Sequence, residues 1–359
     1  MIPYFIVFFI CLLFTLTDFS TKSKNIKTLL IVGYGVLIVF FAGLRWETGT
    51  DWENYVFAFY VINNNSNIGN SGYELFYEIF VFLSSIIIKK YTFILFTTAS
   101  TIYLLTVSSV KKYSPYPLFS LLLLLSYSIN SSGFGYRQDL AIAITFFSLY
   151  YIINKKVYHF ITLVIVATLF HQSAIIFLPA YWVAKINWNR KKTIIFFFFL
   201  TFIYFLSNSV SDIASIYSDS AAMKVSAYTE LDEEQKTMGK GDPIVLLIQG
   251  LSNRFVLFIP ALFLFYKNKE NDIYKVILNL FIFGISLYVI FSPLGAVFLR
   301  FTRYFDIFHI ILIPLAVYFS KGYTRFFLIL FYLIYCIVKF SFVLINDQNV
   351  YVPYKTIFS

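Results

Sequence analysis

Charged residues and cysteines are scarce in this chain, and each scarcity excludes a class of protein. Only 13% of the 359 residues are charged, whereas 59% are hydrophobic and 22% aromatic, and the mean hydropathy is +0.76. Soluble domains carry about 25% charged residues, so this composition indicates an integral membrane protein. The two cysteines, Cys11 and Cys336, stand alone in apolar runs, which excludes a disulfide framework and a cysteine-ligated zinc site.

The motifs of several common enzyme classes are also missing. The chain has no GxxxxGK[ST], GxGxxG, HExxH, GxSxG or CxxC pattern, so ATP hydrolysis, nicotinamide chemistry and zincin-type proteolysis have no support. We expect no cofactor and no metal site. The net charge of +10 would suggest nucleic acid in a soluble chain, but in a membrane protein it reflects basic anchoring, so we expect no nucleic-acid partner.

Long apolar runs separated by short polar connectors predict an all-α, polytopic transmembrane fold. The run 158–184 is too long for one span and is interrupted at His171-Gln172-Ser173, so we expect two shorter helices that meet near His171. The prediction is then about 12 spans in a single membrane domain over 1–359. The runs cover 2–17, 28–44, 91–110, 117–131, 138–153, 158–184, 193–209, 244–266, 275–292, 304–319 and 326–345.

Two polar stretches predict external loops. The first, 45–90, includes a segment at 73–88 that begins with acids four residues apart, Glu74 and Glu78, and we interpret this segment as a re-entrant or interfacial helix. The second loop, 210–243, is the longest polar stretch in the chain. An orientation with both termini outside places most lysines in the cytoplasm, as expected for short loops. Lys89 and Lys90 then lie outside, which requires that 73–88 does not cross.

The arginines follow a different distribution from the lysines. Five of the seven lie at or just inside external helix ends in this topology: Arg45, Arg137, Arg254, Arg300 and Arg303. Arginine is costly there, and its planar fork suits phosphate or carboxylate, so the pattern favours recognition of a diphosphate. The alternative is that each arginine extends to the interface or pairs with an acid. Arg303 and Asp306, three residues apart, would form such a pair.

Several motifs together resemble the EpsG family of polytopic polysaccharide polymerases, which includes Wzy-type O-antigen and capsule polymerases. The residues that carry the resemblance are Gly43-Leu44-Arg45, Gly49-Thr50-Asp51-Trp52, Tyr136-Arg137-Gln138, His171-Gln172-Ser173, Arg303-Tyr304-Phe305 and the ending Tyr351-Val352-Pro353-Tyr354. The family's usual Glu-Pro-Gly-Phe is represented only by Ser71-Gly72-Tyr73-Glu74.

The resemblance implies a glycosyltransferase in the bacterial inner membrane, with its active site facing the periplasm. It would transfer a growing glycan from an undecaprenyl diphosphate carrier to a new lipid-linked repeat unit, with membrane lipid as its surroundings and a chain-length regulator protein as a candidate partner. The diphosphate or substrate would be bound by Arg45, Arg137, Gln138, Arg254, Arg300, Arg303 and Tyr304.

The proton acceptor would be His171 or Asp51. For His171 three roles stay open: general base, hydrogen-bond partner of substrate, or structural residue at the helix break. Two other classes also stay open for the whole chain. A lipid-linked oligosaccharide flippase shares the broken helices and intramembrane charges. An O-antigen ligase shares the external arginines and histidine.

Overall fold

The computed structural model describes residues 1–49, 51–65, 69, 71–128, 137–189, 191–200, 202, 204, 243–266, 270–292, 296–346 and 348–358. Regular structure in these ranges is almost entirely helical. Contacts divide the chain into two compact units, the first comprising Met1–Leu178 with Ile310–Ser359 and the second Pro179–His309. Of the expected external loop 210–243, all but Pro243 lies outside the described residues.

The elements follow in chain order, with short connectors between most of them. The first part of the chain contains α1 (Ile2–Ser20), α2 (Lys24–Gly43), β1 (Arg45–Trp46), α3 (Trp52–Asn65), α4 (Leu75–Ile87), α5 (Tyr91–Tyr113), α6 (Pro117–Ser128), α7 (Arg137–Phe147), α8 (Leu149–Ile153), α9 (Val157–Phe170), a 3₁₀ helix (Gln172–Phe177) and α10 (Ala180–Val183). Residues 191–200 are also helical. The remainder contains α11 (Pro243–Phe265), α12 (Asp272–Phe291), α13 (Ala296–Leu299), a 3₁₀ turn (Arg300–Thr302), α14 (Arg303–Asp306), α15 (His309–Phe319), α16 (Gly322–Asn346), α17 (Gln348–Tyr351) and β2 (Lys355–Thr356).

Local sequence signals explain where several helices begin and end. The Ser23 hydroxyl accepts the Ile26 N–H at the start of α2, and the Asn271 side chain accepts the Tyr274 N–H at the start of α12. Such caps satisfy amides that have no partner inside the helix. At the other terminus, Lys111 and Lys112 lie in the last turn of α5, where the negative end of the helix dipole favours cations.

The first unit has two ends with different chemistry. At one, which we call the lysine end, the C-terminus of α1 meets the start of α6: Asp18 accepts the Phe119 N–H at 2.9 Å and pairs with Lys27 at 3.3 Å. Lys112 lies 3.7 Å from the centre of the Tyr150 ring there. We call the opposite end, which carries Arg45 and Arg137, the arginine end. Within this unit α5 packs on α2 and α7, and α7 packs on α9.

Helix lengths support only part of the predicted topology. Among the described residues, seven helical segments are long and apolar enough to cross a membrane, which confirms the all-α membrane class. The count of about 12 spans stays a prediction. The pair α3 and α4, of 14 and 13 residues, connects the end of α2 to the start of α5. Each measures about 20 Å, less than the roughly 30 Å of hydrocarbon, so an interfacial or re-entrant position for α4 remains consistent.

The predicted break near His171 is present. Helix α9 ends at Phe170, and a 3₁₀ helix begins at Gln172. The expected span 138–153 is likewise divided, because α7 ends at Phe147 and α8 begins at Leu149.

The second unit is built around α12, most of which is buried. Helices α10, α11 and α14 pack against it. Gly284 of α12 permits the close approach of α14, since a Cβ added there would lie 2.8 Å from the Phe305 Cβ. The side-chain amide of Asn279 donates to the carbonyls of Ala184 and Ile186, at 2.9 and 2.8 Å, and so holds the segment after α10 on α12.

Candidate functional site

Arg137 is the centre of a polar cluster at the arginine end of the first unit. Its Nη1 forms an ion pair with Glu74, its Nε donates to the Tyr55 hydroxyl at 3.4 Å, and its guanidinium carbon lies 4.2 Å from the centre of the Tyr73 ring. Among the described residues, no hydrogen-bond acceptor faces Nη2, and 23% of the side chain is exposed. The guanidinium is therefore fixed on three sides and keeps donors for a ligand oxygen.

Glu74 connects Arg137 to the segment that follows His171. It lies at the N-cap position of α4, yet its carboxylate makes no hydrogen bond to its own helix. Instead Oε2 binds Arg137, and Oε1 accepts the backbone N–H of Gln172 at 3.1 Å. Sequence reasoning did not select Glu74 as a site residue. One feature of the sequence could have pointed to Glu74. It follows Tyr73 in the stretch that stands where the family usually has Glu-Pro-Gly-Phe.

The second acid of α4, Glu78, fixes the turn that precedes the helix. Its side chain is fully buried and accepts from the Ser71 N–H, the Ser71 hydroxyl and the Gly69 N–H. Gly72 in this turn has a φ of +79°, a conformation that favours glycine. The turn thereby holds Tyr73 over the guanidinium of Arg137.

Aromatic rings surround the cluster. The Tyr55 and Tyr73 rings stack at 5.3 Å between centroids with an interplanar angle of 23°, and Tyr77 meets both edge-on. Trp52 begins α3 and packs edge-on against Tyr91 at 5.1 Å. Burial raises the pKa of the Tyr55 phenol, and the nearby Arg137 partly opposes this. The phenol is therefore protonated at neutral pH.

His171 occupies the break between α9 and the 3₁₀ helix, with extended backbone angles of −157° and 116°. Its Nδ1 accepts the Ser173 N–H at 3.3 Å and lies 2.9 Å from the Ser173 hydroxyl oxygen. A ring nitrogen that accepts a backbone N–H carries no proton, so the neutral imidazole holds its proton on Nε2. In this arrangement His171 caps a helix with one nitrogen and is an N–H donor at the other.

Arg45 lies in β1, which the C-terminal segment covers. Strand β1 pairs antiparallel with β2, with Arg45 opposite Thr356, and the Gly49 N–H donates to the Val350 carbonyl at 3.3 Å. Tyr354 stacks on Phe41 at 4.5 Å with an interplanar angle of 6°. Burial raises the pKa of Tyr354 to about 12, with Arg45 acting in the opposite direction. The side chain of Arg45 is buried, and the strand that carries it is paired with the C-terminal strand.

The second unit has a polar cluster of its own around Arg254. Its Nε donates to Asp306 Oδ1 at 2.9 Å, and its Nη2 donates to Asp306 Oδ2 at 2.5 Å and to Thr302 Oγ1 at 3.0 Å. The guanidinium also lies 3.8 Å from the centre of the Tyr288 ring. The sequence also allows Asp306 to pair with Arg303, three residues away on its own helix. The bidentate fork comes instead from α11, because a neighbouring helix can present both nitrogens to both oxygens.

The other predicted site residues are distributed between the two units. In the first, Asp51 is exposed and its carbonyl accepts the Tyr55 N–H at 3.2 Å, while Gln138 is buried beside Arg137. In the second, Arg300 is exposed, Arg303 is half-buried and Tyr304 is fully buried. The structure thus brings Arg137 close to the His171 segment through Glu74. A cavity shared by the arginines of both units stays a prediction.

The fold and this site define a polytopic α-helical membrane protein with a fixed arginine at one end of its first unit. The chain belongs to the EpsG family, whose family profile matches residues 28–356. This is a Wzy-like polymerase family, so the resemblance inferred from the motifs is confirmed. The matched range includes every predicted site residue. No curated protein and no solved structure matches the chain.

Proposed function

We propose that this protein is a polysaccharide polymerase that joins oligosaccharide repeat units carried on undecaprenyl diphosphate, at the periplasmic face of the bacterial inner membrane. The substrates are two lipid-linked glycans, and the products are one longer lipid-linked glycan and free undecaprenyl diphosphate. Membership of the EpsG family supports the polymerase class. The geometry around Arg137 supports the diphosphate part of the proposal.

The observation that carries the proposal is the fixed position of Arg137 beside the His171 segment. A leaving diphosphate gains negative charge as the glycosidic bond breaks, and preorganised donors stabilise that charge best when they need not reorient. Arg137 is held by Glu74, Tyr55 and Tyr73 while part of its side chain stays exposed. Because Glu74 neutralises part of its charge, Arg137 alone is insufficient for a diphosphate. The other arginines predicted from the sequence to bind the diphosphate, Arg45 in the first unit and Arg254, Arg300 and Arg303 in the second, stay predictions.

The reaction itself needs no nucleotide and no oxidant. A hydroxyl oxygen at the non-reducing end of the acceptor attacks the anomeric carbon of the donor glycan. The bond from that carbon to the diphosphate oxygen breaks, its electron pair leaves with undecaprenyl diphosphate, and the hydroxyl proton passes to a base. Asp51 is our candidate for the base, because the neutral His171 ring presents an N–H donor at Nε2.

The experiment compares Arg137→Lys with the wild type in two assays. One is elongation of purified undecaprenyl-diphosphate-linked repeat units by protein in detergent or vesicles, and the other is complementation of a deletion strain. Lysine keeps the charge but lacks the fork, so we expect a loss on the order of 10²-fold in elongation. Arg325→Lys is the matched control. Arg325 lies at the start of α16, where it donates to the Ser320 and Tyr318 carbonyls.

The phenotype of the deletion strain separates the proposal from its two rivals. A polymerase deletion leaves single repeat units attached to the surface acceptor. A ligase deletion leaves none attached, and a flippase deletion accumulates carrier-linked units inside the cell. Full-length polymer from Arg137→Lys at normal protein level would contradict the diphosphate role of this residue.

A further inference from the structure

We propose that Glu74 is a positioning residue, which sets the orientation of Arg137 and of the backbone after His171 relative to each other. The inference rests on the proposed function, because orientation matters there for stabilising a leaving diphosphate. It adds to that function a residue that lies outside all the sites predicted from sequence. It also gives a role to α4, the short helix inside the first predicted external loop, 45–90.

One carboxylate connects three elements that are far apart in the chain. Glu74 begins α4, Arg137 begins α7, and Gln172 begins the 3₁₀ helix. The Glu74 contacts cross 63 residues to Arg137 and 98 residues to Gln172. Each carboxylate oxygen has its own donor, so the group restrains both partners simultaneously. Only 10% of the Glu74 side chain is exposed, which limits competition by water at its contact with Arg137, whereas the Gln172 N–H lies at an exposed position.

The position of Glu74 is itself restrained by its neighbours. Before Glu74 in the chain, the turn is held by hydrogen bonds from Ser71 to the Glu78 carboxylate. After Glu74, helix α4 begins at Leu75. Tyr73 and Glu74, adjacent in sequence, then hold the guanidinium of Arg137 by its face and by its edge. Because the guanidinium is contacted both on its face and at its edge, its orientation is fixed, and so is the direction of its remaining N–H donors.

Both oxygens of Glu74 already accept hydrogen bonds in this arrangement, which suits a residue that holds donors in place better than one that takes a proton. Its effect on the reaction should therefore pass through Arg137. This separates the proposal from a direct catalytic role for Glu74, because the two roles make different predictions for a double variant.

The first test measures elongation of purified lipid-linked repeat units by Glu74→Gln, Arg137→Lys and the double variant. Glutamine keeps an acceptor for the Gln172 N–H but removes the charge that orients Arg137. We expect kcat to fall about 10–100-fold with little change in KM, the loss typical of partners that orient a functional group. The double variant should be no slower than Arg137→Lys alone. Glu53→Gln, an exposed acid in the first turn of α3, is the matched control.

The second test does not depend on activity. Hydrogen–deuterium exchange of the peptide 171–178 should be faster in Glu74→Ala, which removes the acceptor of the Gln172 N–H, and close to wild type in Glu74→Gln. Losses that multiply in the double variant, or unchanged exchange in Glu74→Ala, would overturn the positioning role. If the wild type elongates nothing, the proposed function fails, and the exchange measurement still decides whether Glu74 holds this segment.

Discussion

His171 offers the sharpest test of the catalytic assignment, because capping and proton transfer use the same ring. With Nδ1 accepting the Ser173 N–H, the proton of the neutral ring is on Nε2. Action as a base at Nε2 requires the other tautomer, whose Nδ1–H would face the Ser173 N–H. We therefore expect that His171 is not the general base. Three substitutions separate the functions of the ring: alanine removes both, asparagine restores a cap acceptor near Nδ1, and glutamine places an amide near Nε2.

The magnitudes of the two roles are well separated. Loss of an N-cap costs about 0.5–2 kcal/mol, which corresponds to a factor of about 2–30 in an equilibrium or rate. Loss of a general base costs about 10²–10⁴-fold in rate. We expect His171→Gln to keep elongation within about 30-fold of wild type, the limit set by the cap. His171→Asn should recover the thermal stability that His171→Ala loses, since asparagine is among the best N-cap residues.

The assay is the rate of repeat-unit elongation as a function of pH, at matched levels of inserted protein. An amide does not titrate, so if residue 171 were the base, the acidic limb of the rate profile would disappear in both His171→Gln and His171→Asn. We expect that limb to persist. A well-inserted His171→Gln variant that loses 10²–10⁴-fold in rate together with the acidic limb would refute the reasoning from the cap geometry.

Two further predictions concern packing, and both are measured as the midpoint of thermal unfolding in detergent. Gly284→Ala forces a Cβ to within 2.8 Å of the Phe305 Cβ and should destabilise the second unit by about 1–3 kcal/mol. The control is Gly33→Ala, whose new Cβ makes only an ordinary 3.6 Å contact with the Phe14 ring. Equal unfolding midpoints for the two variants would contradict the close approach of α14 to α12. Tyr354→Phe should lose about 1 kcal/mol, the worth of one hydrogen bond to the Phe41 carbonyl. Tyr354→Ala should lose about 3–5 kcal/mol because the stacked ring is removed as well, and a small effect of Tyr354→Ala would show that the tail is not held by this ring.

The sequence by itself determined the membrane class, the approximate position of most helices and the break at His171. These properties depend on local composition, because a bilayer imposes a minimum length of apolar helix on every span. The family was also readable from short motifs around Arg45, Arg137 and His171, since a functional residue and its immediate neighbours are adjacent in the chain. The motifs thus already contain Arg137 and the His171 segment, which Glu74 connects in the structure.

Which of these side chains meet was decided only by the tertiary structure. Glu74 was one of two acids at helical spacing, and nothing local indicated that it would reach Arg137 and Gln172 while Glu78 turned back to its own loop. Both are glutamates in the same helix start. Their different partners follow from which neighbours the packing of α4 brings to each carboxylate.

The partner of Asp306 and the pairing of β1 with β2 were likewise decided by the tertiary structure. Spacing along one helix favoured Arg303 for Asp306, but Arg254, 52 residues away, supplies the bidentate fork. In the strand pair, Lys355 of β2 lies opposite Trp46 of β1, although the two residues are near opposite ends of the sequence. The helical period determines which face of a helix a residue occupies. The element opposite that face is determined by the packing of the whole unit. A buried polar group then forms its hydrogen bond with the partner that this packing places within reach.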